Sequence, residues 1–444
     1  MAEQSAPQFL DDPAIGAAPS ASGPSMRAPR PAMTAEPRSR TAARPQERTL
    51  TFWQTLDKPM LAVVGVLLAI GLIMVYSTTF DWAFSDWGDP TWKVREQARN
   101  VIIGMALAAG VIAFDYRRIR RLSVFILLGT IAALVSVLLF GDDVFNARRS
   151  LLGGSLQPGE LAELAMIIYM AAWLSSKSTR VRSLTYGLLP FAVLLGVISG
   201  LVILQPDIST AVIIIAVSGL MFFLAGADLV QIGVIGGIAG LMGLGVVLGG
   251  GFRYAEQRVE GFLDSITDIT RADYHIRQAY VAFANGGWTG VGLGLSQQKF
   301  NNALPAPHTD SIFAIIGEEF GIIGAGFVVL LYAVLVARGL IIARKAGDPF
   351  GALLAAGLTL WIILKAMLNI AVMLALVPPT GIALPFISFG GSSMVTVLIG
   401  VGLILSVQRA NVVREHSAER RGQRAPTDRS RGNGRPRVSG TGGR

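Results

Sequence analysis

The sequence contains no cysteine, which excludes disulfide bonds and thiolate chemistry. Histidine is also scarce: the three histidines, His275, His308 and His416, are widely separated and lack the spacing of a metal site. Charged residues make up 15% of the 444 residues, whereas a soluble domain usually carries about 25%. The sequence is therefore not that of an ordinary soluble protein.

Hydrophobic residues, in contrast, make up 52% of the chain, and the mean hydropathy is +0.55. They occur in runs of about 20 residues, the length that an α-helix needs to cross ~30 Å of hydrocarbon. The predicted spans are 59–79, 98–114, 122–140, 158–175, 184–204, 209–226, 230–250, 311–337, 352–377 and 392–408. We therefore predict an all-α, polytopic membrane protein with about ten transmembrane helices.

The two ends of the chain differ from this membrane domain, which we place at residues 59–408. Residues 1–58 are rich in Ala, Pro, Ser and Arg, which predicts a disordered tail without a signal peptide. Residues 409–444 form a second predicted disordered tail, rich in arginine. Nucleic-acid binding is one interpretation of such an arm, but contact with anionic membrane lipids is the simpler one, and we expect no nucleic-acid partner.

Basic residues between the spans predict the orientation of the chain, because Lys and Arg near helix ends stay on the cytoplasmic side. Three even-numbered connections carry them: Arg117, Arg118, Arg120, Arg121, Lys177, Arg180, Arg182, Arg338, Arg344 and Lys345. Both termini are therefore predicted to be cytoplasmic. The odd-numbered connections then face outward, including a large loop at 251–310 between helices 7 and 8. Another is the apolar, Pro/Gly-rich segment 377–391, whose composition is typical of a re-entrant element.

Several carboxylates lie inside or at the ends of the predicted spans, where each costs on the order of 2.5–3.5 kcal/mol unless it is paired or hydrated. Glu160 and Glu163 lie one helical turn apart, and Gln205-Pro206-Asp207 closes the fifth span. Glu318 and Glu319 follow in the eighth span. Each of these groups has two interpretations, hydrogen bonding between helices or the lining of a polar cavity near the outer face.

The stretch 304–310 enters the eighth span directly, and its last residues have two possible roles. Thr309 or Asp310 is a natural helix N-cap. A carboxylate at the mouth of a polar cavity is also suited to general-base catalysis. The cations on the same predicted outer side are either solvated loop charges or partners of an anionic substrate: Arg253, Arg258, Arg277 and Lys299.

The order of these motifs resembles the SEDS family (shape, elongation, division and sporulation), over residues 59–408. The strongest matches are His308-Thr-Asp310, Gly317-Glu-Glu319 and the run Leu384-Pro-Phe-Ile-Ser-Phe-Gly-Gly-Ser-Ser393. Gln157-Pro-Gly-Glu160 and Gln205-Pro-Asp207 match as well. Gln298-Lys299 and the residues around Gly317 are more similar to the division-type members than to the elongation-type ones.

The resemblance implies a peptidoglycan glycosyltransferase of the bacterial cytoplasmic membrane that polymerises lipid II, a disaccharide-peptide on undecaprenyl pyrophosphate. It implies that Asp310 is the catalytic base, which takes a proton from the acceptor 4-hydroxyl during inverting transfer. Arg149 is the implied cation at the leaving pyrophosphate. The other expected substrate-binding residues are Gln157, Glu160, Gln205, Asp207, Arg258, His308, Thr309 and Ser392.

The cofactors and partners follow from the same resemblance. The sequence requires no cofactor, although a divalent cation, Mg²⁺ or Mn²⁺, is compatible with the pyrophosphate. The implied partners are lipid II, a class B penicillin-binding protein that acts as transpeptidase, and other membrane proteins of the division complex.

The sequence departs from the family pattern at several positions. Asn146-Ala-Arg-Arg-Ser150 stands where the family usually has Gly-x-x-Arg-Trp, and Glu163 stands where it usually has lysine. Ala306, Ser311 and Ser209 replace a usual glutamate, phenylalanine and glycine. The change at Glu163 reverses a charge, for which the additional cation Arg148 is a candidate compensation.

Two other functions are compatible with a ten-span frame that contains polar groups. One is a transporter that flips lipid II across the membrane, and the other is a non-catalytic scaffold of the division or elongation machinery. The polar sites cluster toward the predicted outer half, whereas alternating access requires sites that serve both sides. Polymerisation of lipid II by the purified protein distinguishes the three functions.

Overall fold

The structure is a computed structural model that describes residues 51–144, 147–150, 157–176, 181–248, 258, 260–264, 273–300 and 303–424. Its helices are α1 (Lys58–Trp87), α2 (Trp92–Ala113), α3 (Tyr116–Phe140), α4 (Pro158–Ser176), α5 (Leu189–Ile203), α6 (Ile208–Leu224), α7 (Leu229–Leu248), α8 (Tyr274–Gly286), α9 (Ile312–Arg344), α10 (Pro349–Met373) and α11 (Gly391–Arg424). A π-helical turn at Leu184–Leu188 leads into α5. The short strands β1 (Asp142–Val144) and β2 (Ala147–Ser150) pair antiparallel.

Ten of these helices follow the ten predicted spans in order, which confirms the predicted polytopic, helical architecture. Within the described residues, six helical segments are long and apolar enough to cross a membrane by length and composition. The chain is a multi-pass membrane protein. The β1–β2 hairpin in the third connection and α8 in the large loop were not predicted, because neither carries a long apolar run.

Aspartate side chains fix where several of the helices begin. The carboxylate of Asp57 accepts a hydrogen bond from the backbone N–H of Met60 at 2.9 Å, and Asp348 does the same for Gly351 at 2.9 Å. Asp115 and Asp207 cap α3 and α6 in the same way. Each cap pairs an N–H group that has no partner within its own helix.

Small residues allow α2 and α11 to pack closely along their lengths. A Cβ atom on Gly402 would lie 2.9 Å from the Cα atom of Ala108, and one on Gly104 would lie 2.6 Å from a side-chain carbon of Leu398. Membrane helices commonly associate through small residues in this way, because dispersion contacts replace the hydrophobic driving force. Glycine is therefore required at position 402, where a Cβ atom would meet backbone atoms, whereas at position 104 the Leu398 side chain would have to move.

The end of α11 differs from the predicted boundary at residue 408. Residues 409–424 continue the helix rather than beginning a disordered tail. Arg409 donates a hydrogen bond to the backbone oxygen of Ile112 at 2.8 Å, and Asn411 donates to that of Ile342 at 3.3 Å. These contacts hold the first part of the basic segment against the ends of α2 and α9. Residues 1–50 and 425–444 lie outside the described residues.

The glycine-rich segment Gly286–Gly294 packs against the first third of α9, where Gly321 interrupts the helix with a φ of 67°. The backbone N–H groups of Val291 and Gly292 donate to the oxygens of Glu318 and Glu319 at 3.0 Å each. A Cβ atom on Gly290 would lie 2.1 Å from the oxygen of Glu319. These glycines thus permit close backbone contact between the segment and α9, which is a structural role.

Candidate functional site

Asp310 lies in the loop that connects α8 to α9, and this loop is held by α10 and by the segment 377–391. The side-chain amide of Asn369 on α10 donates to the backbone oxygens of both Asp310 and Ile382, at 2.7 Å each. The hydroxyl of Ser388 donates to the oxygen of Thr309 at 2.5 Å. Because α10, the loop and the segment 377–391 are joined in this way, the position of Asp310 depends on all three.

The Asp310 carboxylate does not cap α9. The N-cap of α9 is Ser311, which makes no side-chain capping hydrogen bond. The interpretation of Thr309 or Asp310 as the N-cap is therefore wrong, because the helix starts one residue later. Instead, the hydroxyl of Thr309 lies 3.0 Å from Oδ1 of Asp310 and can donate to it. The half-buried carboxylate is thus not used to start the helix.

His275 on α8 lies beside this loop and was not identified from the sequence. Its Nε2 lies 2.6 Å from the hydroxyl of Ser311, which donates its own proton to the backbone oxygen of Pro305 at 2.6 Å. The hydroxyl is therefore the acceptor, and Nε2 carries the proton. Burial lowers the pKa of His275, although the nearby negative charges of Asp310 and Asp273 oppose the shift. His275 is a neutral residue that fixes Ser311, next to Asp310.

His308 packs among aromatic side chains. Its ring centroid lies 5.4 Å from that of Trp82 and 5.8 Å from that of Phe389. Burial and the positive charge of Lys93 lower the pKa of His308 to about 4. The imidazole is therefore neutral at physiological pH. A structural role for this side chain follows from these contacts, whereas a substrate contact stays a prediction.

A buried cluster of charges joins α4 to α10. The ammonium group of Lys365 lies 2.6 Å from a carboxylate oxygen of Glu160 and 2.9 Å from one of Glu163. The indole N–H of Trp361 also donates to Glu163, at 2.6 Å. The Lys365 and Glu163 side chains are buried and Glu160 is 14% exposed, so both carboxylates share one buried ammonium group. Lys365 was missed, although a lysine inside an apolar span is a strong signal in a membrane protein.

The beginnings of α4 and α6 meet close to this cluster. Asp207 caps α6 and accepts a hydrogen bond from the Thr210 hydroxyl at 2.9 Å. A Cβ atom on Gly159 would lie 3.6 Å from Oδ2 of Asp207, and Glu160 follows at the next position. Asp207 and Glu160 therefore lie at neighbouring helix ends, on the side that the sequence predicts to face outward.

The segment 377–391 links Asp207 to Asp310. The hydroxyl of Ser209 donates a hydrogen bond to the backbone oxygen of Thr380. A Cβ atom on Gly381, whose φ is 72°, would lie 3.9 Å from Oδ2 of Asp310. Asp310 is thus connected to α10 through Asn369, and α10 is connected to α4 through the Lys365 cluster. The start of α4 meets that of α6 at Asp207, and α6 is connected through residues 380–381 back to Asp310.

Of the other predicted substrate-binding residues, some lie near this site and one makes a contact between helices away from it. The backbone N–H of Gln157 donates to the hydroxyl of Ser392 at 3.0 Å, so these two meet beside the start of α4. Arg258 donates to the backbone oxygen of Pro379 at 2.8 Å, which brings it to the segment next to Gly381. Gln205 is buried and donates to the backbone oxygen of Leu134 at 2.9 Å, a contact between helices. The backbone of Arg149 lies in β2, but its side chain, like that of Arg148, lies outside the described part of the structure.

Lys299 is not an outward-facing loop charge. Its ammonium group lies 3.0 Å from a carboxylate oxygen of Glu319 and 3.1 Å from the hydroxyl of Ser77, and the residue is buried. Glu318, next in the chain, accepts hydrogen bonds from Asn285 at 3.2 Å and from Ser296. These carboxylates therefore join the loop before Asp310 to α1, α8 and α9. No group of three or more His, Asp or Glu suited to a metal ion occurs among the described residues.

Comparison with known proteins identifies the family of this chain. Residues 58–412 match the family model FTSW_RODA_SPOVE, described as cell cycle protein. The chain is 36% identical over 355 residues to the "Probable peptidoglycan glycosyltransferase FtsW" of Trichlorobacter lovleyi, an alignment that covers 79% of this chain and 92% of the relative. It is 37% identical over 361 residues to the "Stage V sporulation protein E" of Bacillus subtilis, covering 80% and 97% of the two chains.

Two solved structures share the fold. The rod shape determining protein RodA of Thermus thermophilus aligns with a TM-score of 0.60 and 23% identity, over 81% of this chain and 98% of that chain. A chain from a structure described as "Structural coordination of polymerization and crosslinking by a peptidoglycan synthase complex" aligns with a TM-score of 0.63 and 25% identity, over 81% and 99%. The family match spans nearly the whole described region, and the chain belongs to the FtsW, RodA and SpoVE family, the SEDS family that its motifs resemble.

Proposed function

We propose that this protein is a peptidoglycan glycosyltransferase that polymerises lipid II at the outer face of the bacterial cytoplasmic membrane, with Asp310 as the general base. Membership of the FtsW, RodA and SpoVE family supports the reaction class, and relatives named FtsW support a role in cell division. The observation that carries the assignment of Asp310 is that its backbone is held on both sides while its carboxylate takes no part in capping α9.

The chemistry suits a single carboxylate. Asp310 accepts the proton of the acceptor sugar's 4-hydroxyl as that oxygen attacks the anomeric carbon of the donor. The new glycosidic bond forms as the bond to undecaprenyl pyrophosphate breaks, so the anomeric configuration inverts and the pyrophosphate leaves with the electron pair. Displacement of this kind requires a base but no protein nucleophile. The Thr309 hydroxyl, 3.0 Å from Oδ1, orients the carboxylate.

The leaving pyrophosphate requires positive charge. Arg149 and Arg258 are the proposed cations. The Arg258 guanidinium donates to the backbone oxygen of Pro379, two residues before Gly381, and Gly381 lies beside the Asp310 carboxylate. Gln157, Ser392, Asp207, Glu160, Thr309 and His308 complete the proposed substrate region. A divalent cation, Mg²⁺ or Mn²⁺, bound through the pyrophosphate itself would supply further charge stabilisation.

The proposed partner is a class B penicillin-binding protein, whose transpeptidase activity would crosslink the strands made here. A relative of known structure comes from a peptidoglycan synthase complex described as coordinating polymerization and crosslinking, which supports this class of partner. In this proposal both termini are cytoplasmic, so that Asp310 and the loop 251–310 face the outer side, where the partner's catalytic domain would work.

The test is polymerisation of fluorescent lipid II by the purified full-length chain in proteoliposomes, with and without a candidate transpeptidase. We expect glycan strands of several disaccharides, and longer or faster products with the partner. A parallel assay that follows the transfer of labelled lipid II between leaflets addresses the flippase alternative. Transfer between leaflets without any polymer, with or without the partner, would contradict the proposed function.

A further inference from the structure

A basic pocket lies at the opposite end of the helices from Asp310. Its volume is about 460 Å³, and it is formed between the beginnings of α3 and α10. The lining residues are Arg117, Arg120, Arg121, Asp348 and Phe350. None of these residues belongs to the site described above, and the pocket is on the side that the sequence predicts to be cytoplasmic.

The negative charge in this pocket is already paired. The carboxylate of Asp348 lies 3.5 Å from the guanidinium of Arg117, accepts a hydrogen bond from the Tyr116 hydroxyl and caps α10 through Gly351. Although burial raises the pKa of Asp348, these hydrogen bonds and the charge of Arg117 hold it below its usual value. Asp348 therefore stays ionised and balances the positive charge of Arg117.

The two other arginines have no anionic partner among the described residues. Arg120 places its guanidinium 5.9 Å from the ring centroid of Phe350, a cation–π contact that leaves its N–H groups available. Arg121 makes no hydrogen bond or ion pair with the described part of the chain. Both are exposed in the pocket, so it carries an excess of two positive charges.

The positive-inside tendency explains why arginines are found here but not why three of them surround a concave pocket. Arg118 belongs to the same helical turn and carries the same charge, yet it does not line the pocket. The positive end of the α3 dipole is already faced by the N-cap carboxylate of Asp115, so the excess charge in the pocket is that of Arg120 and Arg121. A bound anion would relieve the repulsion between these guanidinium groups.

We propose that this pocket binds the phosphate group of an anionic phospholipid headgroup. Guanidinium groups bind phosphate oxygens through paired, charge-assisted hydrogen bonds, and Arg120 and Arg121 provide two such groups. A lipid rather than a free phosphate fits because an exposed apolar stripe continues from the pocket along α3. Phe125 and Leu128 follow Arg121 at helical spacing and are 71% and 56% exposed. An acyl chain would lie along this stripe.

The test compares variants of the full-length protein purified in a neutral detergent. Binding of phosphatidylglycerol and of phosphatidylcholine is measured by native mass spectrometry, and inorganic phosphate is titrated in a separate series. The test variants are Arg121→Gln and Arg120→Gln/Arg121→Gln, and the matched control is Arg118→Gln. Because each pocket guanidinium contributes charge-assisted hydrogen bonds to the phosphate, each pocket arginine removed is expected to weaken phosphatidylglycerol binding about five-fold.

The expected pattern is a preference for phosphatidylglycerol over phosphatidylcholine in the wild type and in Arg118→Gln, which decreases in Arg121→Gln and is lost in the double variant. Equal binding by Arg118→Gln and Arg121→Gln would mean that only the general charge of the surface matters, and would overturn the site. Competition by millimolar inorganic phosphate with no lipid preference would overturn the lipid as ligand. All of these outcomes are measured by lipid or phosphate binding, so they do not depend on whether the protein polymerises lipid II.

Discussion

Lys365 and Glu163 lie on different helices and form a buried ion pair at 2.9 Å, to which Glu160 adds a second carboxylate at 2.6 Å from the same ammonium group. The resemblance to the family predicts a lysine at position 163, where this chain has glutamate. The cation next to Glu160 therefore comes from α10 in this protein and not from α4. The charge reversal noted in the sequence is compensated in space, by a residue about 200 positions away.

Replacement of Lys365 by glutamine should destabilise the protein strongly. Loss of one partner from a buried ion pair typically costs about 3–5 kcal/mol, because the remaining charges are left without compensation. Thermal unfolding in detergent should therefore shift to a clearly lower temperature in Lys365→Gln. The control is Lys345→Gln, the same change at an exposed position at the end of α9, which should leave stability near that of the wild type.

The double variant Glu163→Lys/Lys365→Gln moves the cation from α10 to α4, one turn from Glu160. We expect it to recover most of the stability that Lys365→Gln alone loses, because Glu160 regains a neighbouring ammonium group. If the double variant is no more stable than Lys365→Gln, the cluster acts through its specific geometry and not through compensation of charge.

Replacement of Asn369 by alanine should reduce activity, although Asn369 bonds the backbone of Asp310 and not its carboxylate. Its amide holds the backbone of Asp310 and of Ile382, and each buried oxygen left without a donor costs about 1–3 kcal/mol. Lipid II polymerisation should fall together with stability. Asn411→Ala removes an equally buried asparagine that bonds a backbone oxygen at the other end of α9. That control should lose stability but retain activity per folded molecule, and equal activity of the two variants would contradict the positioning role.

Stability should decrease below neutral pH because of His308. Its pKa is lowered to about 4 in the folded protein, whereas an unfolded histidine titrates near about 6.5. The unfolded state therefore binds more protons between these values, and the stability present above about pH 6.5 is lost as the pH falls toward 4. His308→Phe, which keeps an aromatic ring beside Trp82 and Phe389, should show a smaller loss of thermal stability between pH 7 and pH 5. An unchanged pH dependence in His308→Phe would contradict this assignment, and His416→Phe serves as the control.

The orientation of the chain is tested with cysteines, because the protein contains none of its own. Single cysteines in Tyr274→Cys and Ser430→Cys should label oppositely with an impermeant maleimide in intact cells. Residue 274 is predicted to be outside and residue 430 inside. Equal labelling would require an even number of crossings between them and would contradict the predicted topology.

The sequence was most informative where a contiguous stretch of residues determines the structure. The apolar runs predicted the ten spans, and motif order predicted the family. Contacts between distant segments could not be predicted: Gln205 and Lys299 lie in motifs or loops that suggested a site, yet they bond Leu134 and Glu319 inside the protein. His275 gave no signal, because its relation to Ser311 depends on how α8 packs beside α9.

The Asp310 loop is a second place where the local sequence did not determine the structure. The residue types predicted a cap at Thr309 or Asp310, but the helix starts at Ser311 because the preceding backbone is held by Ser388 and Asn369. These two side chains come from segments some 60 to 80 residues later in the chain. Local preference therefore located the loop, and tertiary contacts determined which residue begins the helix.

The most direct test of the catalytic assignment is lipid II polymerisation by Asp310→Asn, with Asp86→Asn as a control at an exposed position of α1. Since Asp310 does not cap α9, both Asp310→Asn and Asp310→Ala should unfold close to the wild-type temperature and still bind a transpeptidase partner. Loss of a general base reduces the rate about 10²–10⁴-fold, so we expect no detectable glycan from either Asp310 variant and wild-type amounts from Asp86→Asn. Polymerisation by folded Asp310→Asn at the wild-type rate would show that Asp310 is not the base.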